Sequence, residues 1–264
     1  MSIYVVNLSS VVDDNSGNLM VSASNILLPR LASDWNIIAP IIVYKGKNPG
    51  NIPAGVWLMY LIDSDASVPD ALAYHTEEND QVVGYVLCKT ILDNGGVVLY
   101  KDNVTPTVSS ALFHEIAESL IDDDVNQWWD SFTGLLYAAE VADPVQGNIV
   151  PININGTMVG LSDYILPAWK DTESQYAKYN YLNTLKNPFE IDSGGYAIVM
   201  SEGFVFPIWG NTVPQWIKDQ KMKSRRLKSR GKDKLKEGKP EPKKEWYNFV
   251  IDKIRKNWQN KLIL

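Results

Sequence analysis

The sequence predicts an α+β protein in which a central helix packs on a mixed sheet, β-hairpins follow that helix, and a basic C-terminal arm ends in an amphipathic helix. Three observations predict it. Residues 109–120 place Leu112, Phe113, Ile116, Ala117 and Leu120 at the three- and four-residue spacing of a helix with a buried face. Strand-like runs stand on both sides, at 55–62 and 82–88 before it and at 149–154 and 157–161 after it, the last two joined by Asn155-Gly156, the strongest short-range hairpin signal. From residue 218 to 245 there are thirteen Lys or Arg and five Asp or Glu, a net of +8 in a chain whose total is −6, so the remainder carries −14.

In chain order, residues 1–50 hold short apolar runs (3–6 and 37–44) broken by Asn, Asp, Ser, Gly and Pro, and are expected to form strands and long loops. The run 55–62 reads as a strand ended by the polar turn Asp63-Ser64-Asp65; residues 71–75 and a second strong strand at 82–88 follow. Asp93-Asn94-Gly95-Gly96 is a turn toward the central helix, which Thr105 is expected to cap with Pro106 at the first helical position. Past that helix, Asp122-Asp123-Asp124 lacks the spacing of an EF-hand calcium loop and reads as a solvated helix end, after which Trp128-Trp129 restore packing. A second hairpin is expected over 194–206, about the turn Ser201-Glu202-Gly203. The resulting division is a folded domain over 1–210, a basic arm over 211–245 and a C-terminal helix over 246–264.

A chain of 264 residues with 45% hydrophobic content is long enough to bury a sizeable core, and nine Trp with thirteen Tyr belong to a folded protein rather than a disordered one. The single cysteine, Cys88, makes no internal disulfide and is expected as a small buried apolar residue. No basic segment precedes the first apolar residues, so no signal peptide is expected, and no window approaches the length of a membrane span. The expectation is a soluble protein made in a cytoplasm.

The chemistry sits on the central helix. His114 and Glu118 are one turn apart and can reach a single point, with Glu115 beside them. In His-Glu-x-x-His, two histidines hold Zn2+ and the glutamate is the general base. Glu118 stands where the second histidine would be, which makes a harder site, more open to manganese or calcium. Downstream, the apolar run 136–145 contains two acids, Glu140, 26 positions after His114, and Asp143, three positions further; either is placed to supply a third ligand. The bland alternative is a hydrogen-bonded acid cluster that pins the helix to the Glu140 segment. His75, the one other histidine, reads as a ligand, a substrate-facing acid or base, or a surface residue.

Several stretches in order carry a resemblance: Ala73-Tyr74-His75; residues 110–118 with Asp122; Ala139-Glu140-Val141-Ala142-Asp143-Pro144-Val145-Gln146-Gly147; Asp163-Tyr164-Ile165-Leu166-Pro167-Ala168-Trp169; and Asn187-Pro188-Phe189 through Gly194-Gly195-Tyr196. Over roughly residues 55–208 the chain resembles a zincin-like family of bacteria and tailed bacteriophages, whose pattern is HE-x-x-E followed by E-x-x-D-P. The resemblance implies a zincin-like domain in which His114, Glu118 and either Glu140 or Asp143 hold the metal and Glu115 lies beside it. If such a site is catalytic, a metal with an open position polarises a carbonyl and acidifies water, Glu115 takes the proton, and amide hydrolysis is the reaction class. An all-carboxylate supplement to one imidazole puts more negative charge around the metal and weakens that Lewis acidity, which keeps a purely structural role in play.

The arm is a different kind of chain. Lys223, Arg225, Arg226, Lys228 and Arg230 form a cationic run suited to phosphate backbones or an acidic protein surface, and no aromatic residues interleave to stack bases. Trp246, Phe249 and Trp258 lie on the apolar face of the terminal helix, which is expected to dock on a neighbouring subunit. With the phage branch of the resemblance, the arm implies a virion component held to other virion proteins or to copies of itself, with non-specific nucleic-acid contact. Two readings follow: a metallopeptidase-like protein, and a structural virion protein of capsid, neck or tail that uses the fold as a scaffold.

Overall fold

The computed structural model describes residues 1–218, apart from 69–70, 80, 124–125, 175–176 and 216. The basic arm beyond 218 and the C-terminal helix, with Lys223, Arg225, Arg226, Lys228, Arg230, Trp246, Phe249 and Trp258, lie outside the described residues, as does Asp124. What is described is a mixed α+β architecture. In order it runs β1 (Ser2–Asn7), α1 (Asp14–Asp34), β2 (Ile41–Gly46), β3 (Trp57–Ile62), β4 (Ala73–Glu78), β5 (Gln81–Leu87), α2 (Cys88–Asp93), α3 (Val108–Ile121), β6 (Trp128–Asp130), β7 (Leu136–Ala138), β8 (Ile149–Ile154), β9 (Thr157–Ser162), β10 (Tyr196–Ser201) and β11 (Phe204–Trp209).

The first sheet has the order β2-β1-β3-β5-β4. Its first four strands are parallel and β4 is antiparallel on the edge, so the expected mixed sheet is present. A second, four-stranded sheet (β11-β10-β7-β6) is antiparallel, and β8-β9 stands as a two-stranded hairpin. Both hairpins form where expected. Asn155 and Gly156 have φ of 51° and 91°, and Glu202 and Gly203 have 51° and 84°, the positive values that two-residue hairpin turns require.

Residues 1–50 depart from the expectation of strands and long loops, because a 21-residue helix, α1, links β1 to β2. Parallel neighbours need such a crossover. Its sequence hides it: Asn15, Ser16, Gly17, Asn18, Ser22 and Asn25 are weak helix formers, and Pro29 lies inside. Position decides instead. Asp13 caps the start by accepting from the Ser16 N–H at 2.6 Å, Met20, Leu27, Leu28 and Leu31 fill the core, and the Asn25 amide pairs with the backbone of Ile42 through both of its polar atoms.

Helix α3 starts later than expected. Thr107, not Thr105, is its cap, in a reciprocal pair: the Ser110 N–H donates to Thr107 Oγ1 at 2.7 Å and the Thr107 N–H donates to Ser110 Oγ at 3.0 Å. Thr105 belongs to the preceding turn, where its hydroxyl and N–H donate to Asp102. The hydroxyl of Ser109 donates to the Gly160 carbonyl at 2.7 Å and ties the helix to β9. Its C-terminal end also differs from a solvated one. Asp122 is fully buried, and its Oδ1 accepts from the N–H groups of Asn126 and Gln127 at 2.9 Å each.

One continuous core joins α1, the first sheet, α3 and β9, through Ile3, Leu28, Met59, Phe113, Ile116 and Val159 among others. Cys88 lies within it, and burial pushes its thiol up to about 12. Among the described residues no helix is long and apolar enough to cross a membrane.

Candidate metal centre

Helix α3 is buried on almost every side, which is why its polar residues matter. His114, Glu115 and Glu118 are 8%, 3% and 0% exposed. His114 Nε2 lies 3.1 Å from Glu118 Oε1 and 3.2 Å from Asp143 Oδ1, so two carboxylate oxygens from different segments converge on one ring nitrogen. A single N–H points along one direction and serves one of them well. Three donors around one cation are spaced in this range: with bonds of about 2.05 Å, neighbouring donors sit about 2.9 Å apart in octahedral and about 3.3 Å apart in tetrahedral geometry. One imidazole and two carboxylates suit Zn2+ or Mn2+. On distance and donor chemistry the residues fit a divalent cation.

Asp143 reaches the helix because of the turn it opens. After β7 the chain bends into a 3-10 turn, Asp143–Val145, with Pro144 near its start. The Pro144 carbonyl accepts from the Asp192 N–H at 2.9 Å, and Gly195 packs so tightly beneath it that a Cβ there would collide with that oxygen. Val145 at the end of the turn belongs to the same core as Tyr137, Trp169 and Phe189, whose ring centroids stand 4.7 to 5.6 Å apart. Stretches far apart in the chain thus meet around one turn. Glu140, 2% exposed, lies close enough for its charge to act on Glu118, but the donor group that gathers on His114 contains Asp143.

His75 is no surface residue. It sits on β4 opposite Gly84, 3% exposed, and its Nδ1 lies 2.9 Å from Glu115 Oε2. A Cβ at position 84 would meet the end of the Met59 side chain, which would have to move. His75, Glu115 and Glu118 form a second buried group whose donor atoms all lie within 4.8 Å of one another, as do those of His114, Glu118 and Asp143.

These groups meet an open cleft of about 540 Å³. Thr107, Ser110, Ala111, His114 and Glu115, successive positions on one face of α3, form one wall, and Gln146, Gly147 and Asn148 lie in another. Electrostatics in the floor are strained. Burial opposes a charged His114 imidazole, yet the Glu118 charge and the bond to Asp143 outweigh it and hold its pKa well above the usual value. Burial, and then the neighbouring Asp143 charge, push the Glu118 carboxyl above the ordinary carboxylate range.

Sequence reading missed the polar network behind the cleft. Asp163, fully buried, accepts from the N–H of Tyr164 at 2.8 Å and from the Asn180 amide at 2.6 Å, and the Asn148 amide donates to Asp192 at 2.9 Å. Burial pushes the Asp163 carboxyl up to about 6 against those bonds. Asp163 stands within a stretch that carried the resemblance, but no local spacing marks it as buried. No family model, curated protein or solved structure matches this chain.

Proposed function

We propose that the protein is a zincin-like metalloprotein whose buried centre, opening on the α3 cleft, hydrolyses an amide or peptide bond. The observation that carries this reading is the convergence of Glu118 Oε1 and Asp143 Oδ1 on His114 Nε2, at 3.1 and 3.2 Å. His114, Glu118 and Asp143 would hold the cation, with Glu140 adjacent, and Zn2+ is the cation that the resemblance implies. When bound, a divalent cation supplies Lewis acidity that polarises a carbonyl and acidifies water. Glu115 lines the cleft next to His114 and takes the proton of the attacking water, then returns it to the leaving amine. His75, at 2.9 Å from Glu115 Oε2, fixes which way that carboxylate faces. The test is a peptide-library cleavage assay on the zinc-loaded full chain. Cleavage that chelator stops, and that Glu115→Gln lowers by at least about 100-fold, is expected from loss of a general base. A zinc-loaded protein that cleaves no peptide would refute the hydrolytic part.

A second reading draws on the +8 charge of residues 218–245. We read the arm as a tether to neighbouring subunits of an assembly such as a virion, with loose contact to nucleic acid. Its attraction is electrostatic, so assembly that persists in the full chain after Lys223, Arg225, Arg226, Lys228 and Arg230 are all changed to Glu would exclude it.

A further inference from the structure

The two buried donor groups share a member. Glu118 belongs both to His114–Glu118–Asp143 and to His75–Glu115–Glu118, and within each group the donor atoms lie within 4.8 Å of one another. We propose that the centre is dinuclear, with a second divalent cation held by His75, Glu115 and Glu118, and Glu118 bridging the two ions. This rests on the metal-centre reading above and extends it.

Three observations carry the proposal. The first is reach: a carboxylate has two oxygens, and Glu118 is one helical turn from both His114 and Glu115, so one side chain serves two positions. Ions bridged in this way stand about 3.5–4 Å apart in two-metal hydrolytic sites. The second is donor geometry. His75 Nδ1 and Glu115 Oε2 are 2.9 Å apart, the edge of an octahedral coordination shell, and both side chains are at least nine-tenths buried. The third is charge. Glu115, Glu118, Glu140 and Asp143 bring four buried carboxyl groups together with two imidazoles. With the carboxyls ionised and the imidazoles neutral, as ligation requires, one divalent cation leaves these side chains at −2 and two balance them, as burial of charge favours.

Glu115 acts as proton acceptor in the one-ion state and as ligand in the two-ion state. Both positions border the cleft through His114 and Glu115, which gives hydrated ions a route in.

The experiment is equilibrium dialysis of the metal-stripped full chain against Mn2+, with bound metal counted by elemental analysis and spin coupling read by electron paramagnetic resonance. Two equivalents and a coupled spectrum are expected in the wild type. One equivalent without coupling is expected in His75→Ala, in the better-filling His75→Gln and in Glu115→Gln, and none in Glu118→Ala. One uncoupled equivalent in the wild type, lost in His114→Ala and kept in His75→Ala, would overturn the second position and leave the His114 centre standing. No bound Mn2+ in the wild type would overturn both. The wild-type count and spectrum decide the question even where a variant fails to fold.

Discussion

A ring nitrogen with carboxylate oxygens at 3.1 and 3.2 Å asks more of one N–H than a hydrogen bond gives, and at His114 both of those oxygens are buried. The residues responsible were legible in the sequence because helical spacing alone brings His114 and Glu118 together. The choice between Glu140 and Asp143 was not legible, since it depends on how sharply the chain turns after β7. Asp143 belongs to the donor group while Glu140 acts on Glu118 through its charge, so Asp143→Ala is expected to weaken zinc binding by more than about 100-fold and Glu140→Ala by roughly 10-fold, as outer-shell changes do. Competition with a chromophoric chelator measures both. A larger effect at Glu140 would reverse the assignment. Asp163 sets a second expectation at this scale. Its carboxyl is protonated up to about 6 in the folded chain, against 3.8 for a free aspartate, so the folded state holds the extra proton between those values. Its contribution is fully present below the lower value and is lost as pH rises through the higher one, about 3 kcal/mol in all. Denaturant unfolding from pH 4 to 7 is expected to show a steeper decline in the wild type than in Asp163→Asn, even though the variant loses the Asn180 bond and is less stable throughout.

At the scale of elements, local sequence told unequal stories. The α3 periodicity and both hairpin turns were readable, because each is fixed by residues a few positions apart. Helix α1 was not readable: its Asn, Ser and Pro residues argue against a helix, and what holds it is the crossover geometry and the Asn25–Ile42 pairing across the chain. The cap of α3 was misplaced by two residues for a similar reason, since Thr105 and Thr107 are equivalent on paper until Ser110 completes the pair with Thr107. The turn at Asp143 depends on Gly195, which no helix or strand pattern flags. Gly195→Ala forces a Cβ against the Pro144 carbonyl oxygen, so the turn must shift. It is expected to lower zinc affinity together with stability, whereas Gly156→Ala, strained at a φ of 91° in a hairpin tip, costs roughly 1 kcal/mol and leaves zinc affinity intact. Thermal melts with and without zinc separate the two cases. Unchanged affinity in Gly195→Ala would show that the turn does not position Asp143.

At the scale of the molecule, one core joins the mixed sheet, α1 and α3, and the buried carboxylates lie on α3 and on the segment after β7. A cation bound there is coupled to the stability of the whole domain, because only the folded chain assembles the donors. At zinc 100-fold above its dissociation constant the folded state gains about 2.7 kcal/mol. For a domain of this size that corresponds to a rise of roughly 5–10 °C in melting temperature, which chelator should remove. Equal melting temperatures with and without chelator would mean that no cation stabilises the fold. The most direct test of the central claim is anomalous diffraction at the zinc absorption edge, on crystals of the full chain grown with zinc. A peak bonded to His114 Nε2 and to carboxylate oxygens of Glu118 and Asp143 is the expected result. Zinc bound only at surface sites, with His114 Nε2 still hydrogen-bonded to those carboxylates, would contradict the account and leave a structural acid cluster in its place.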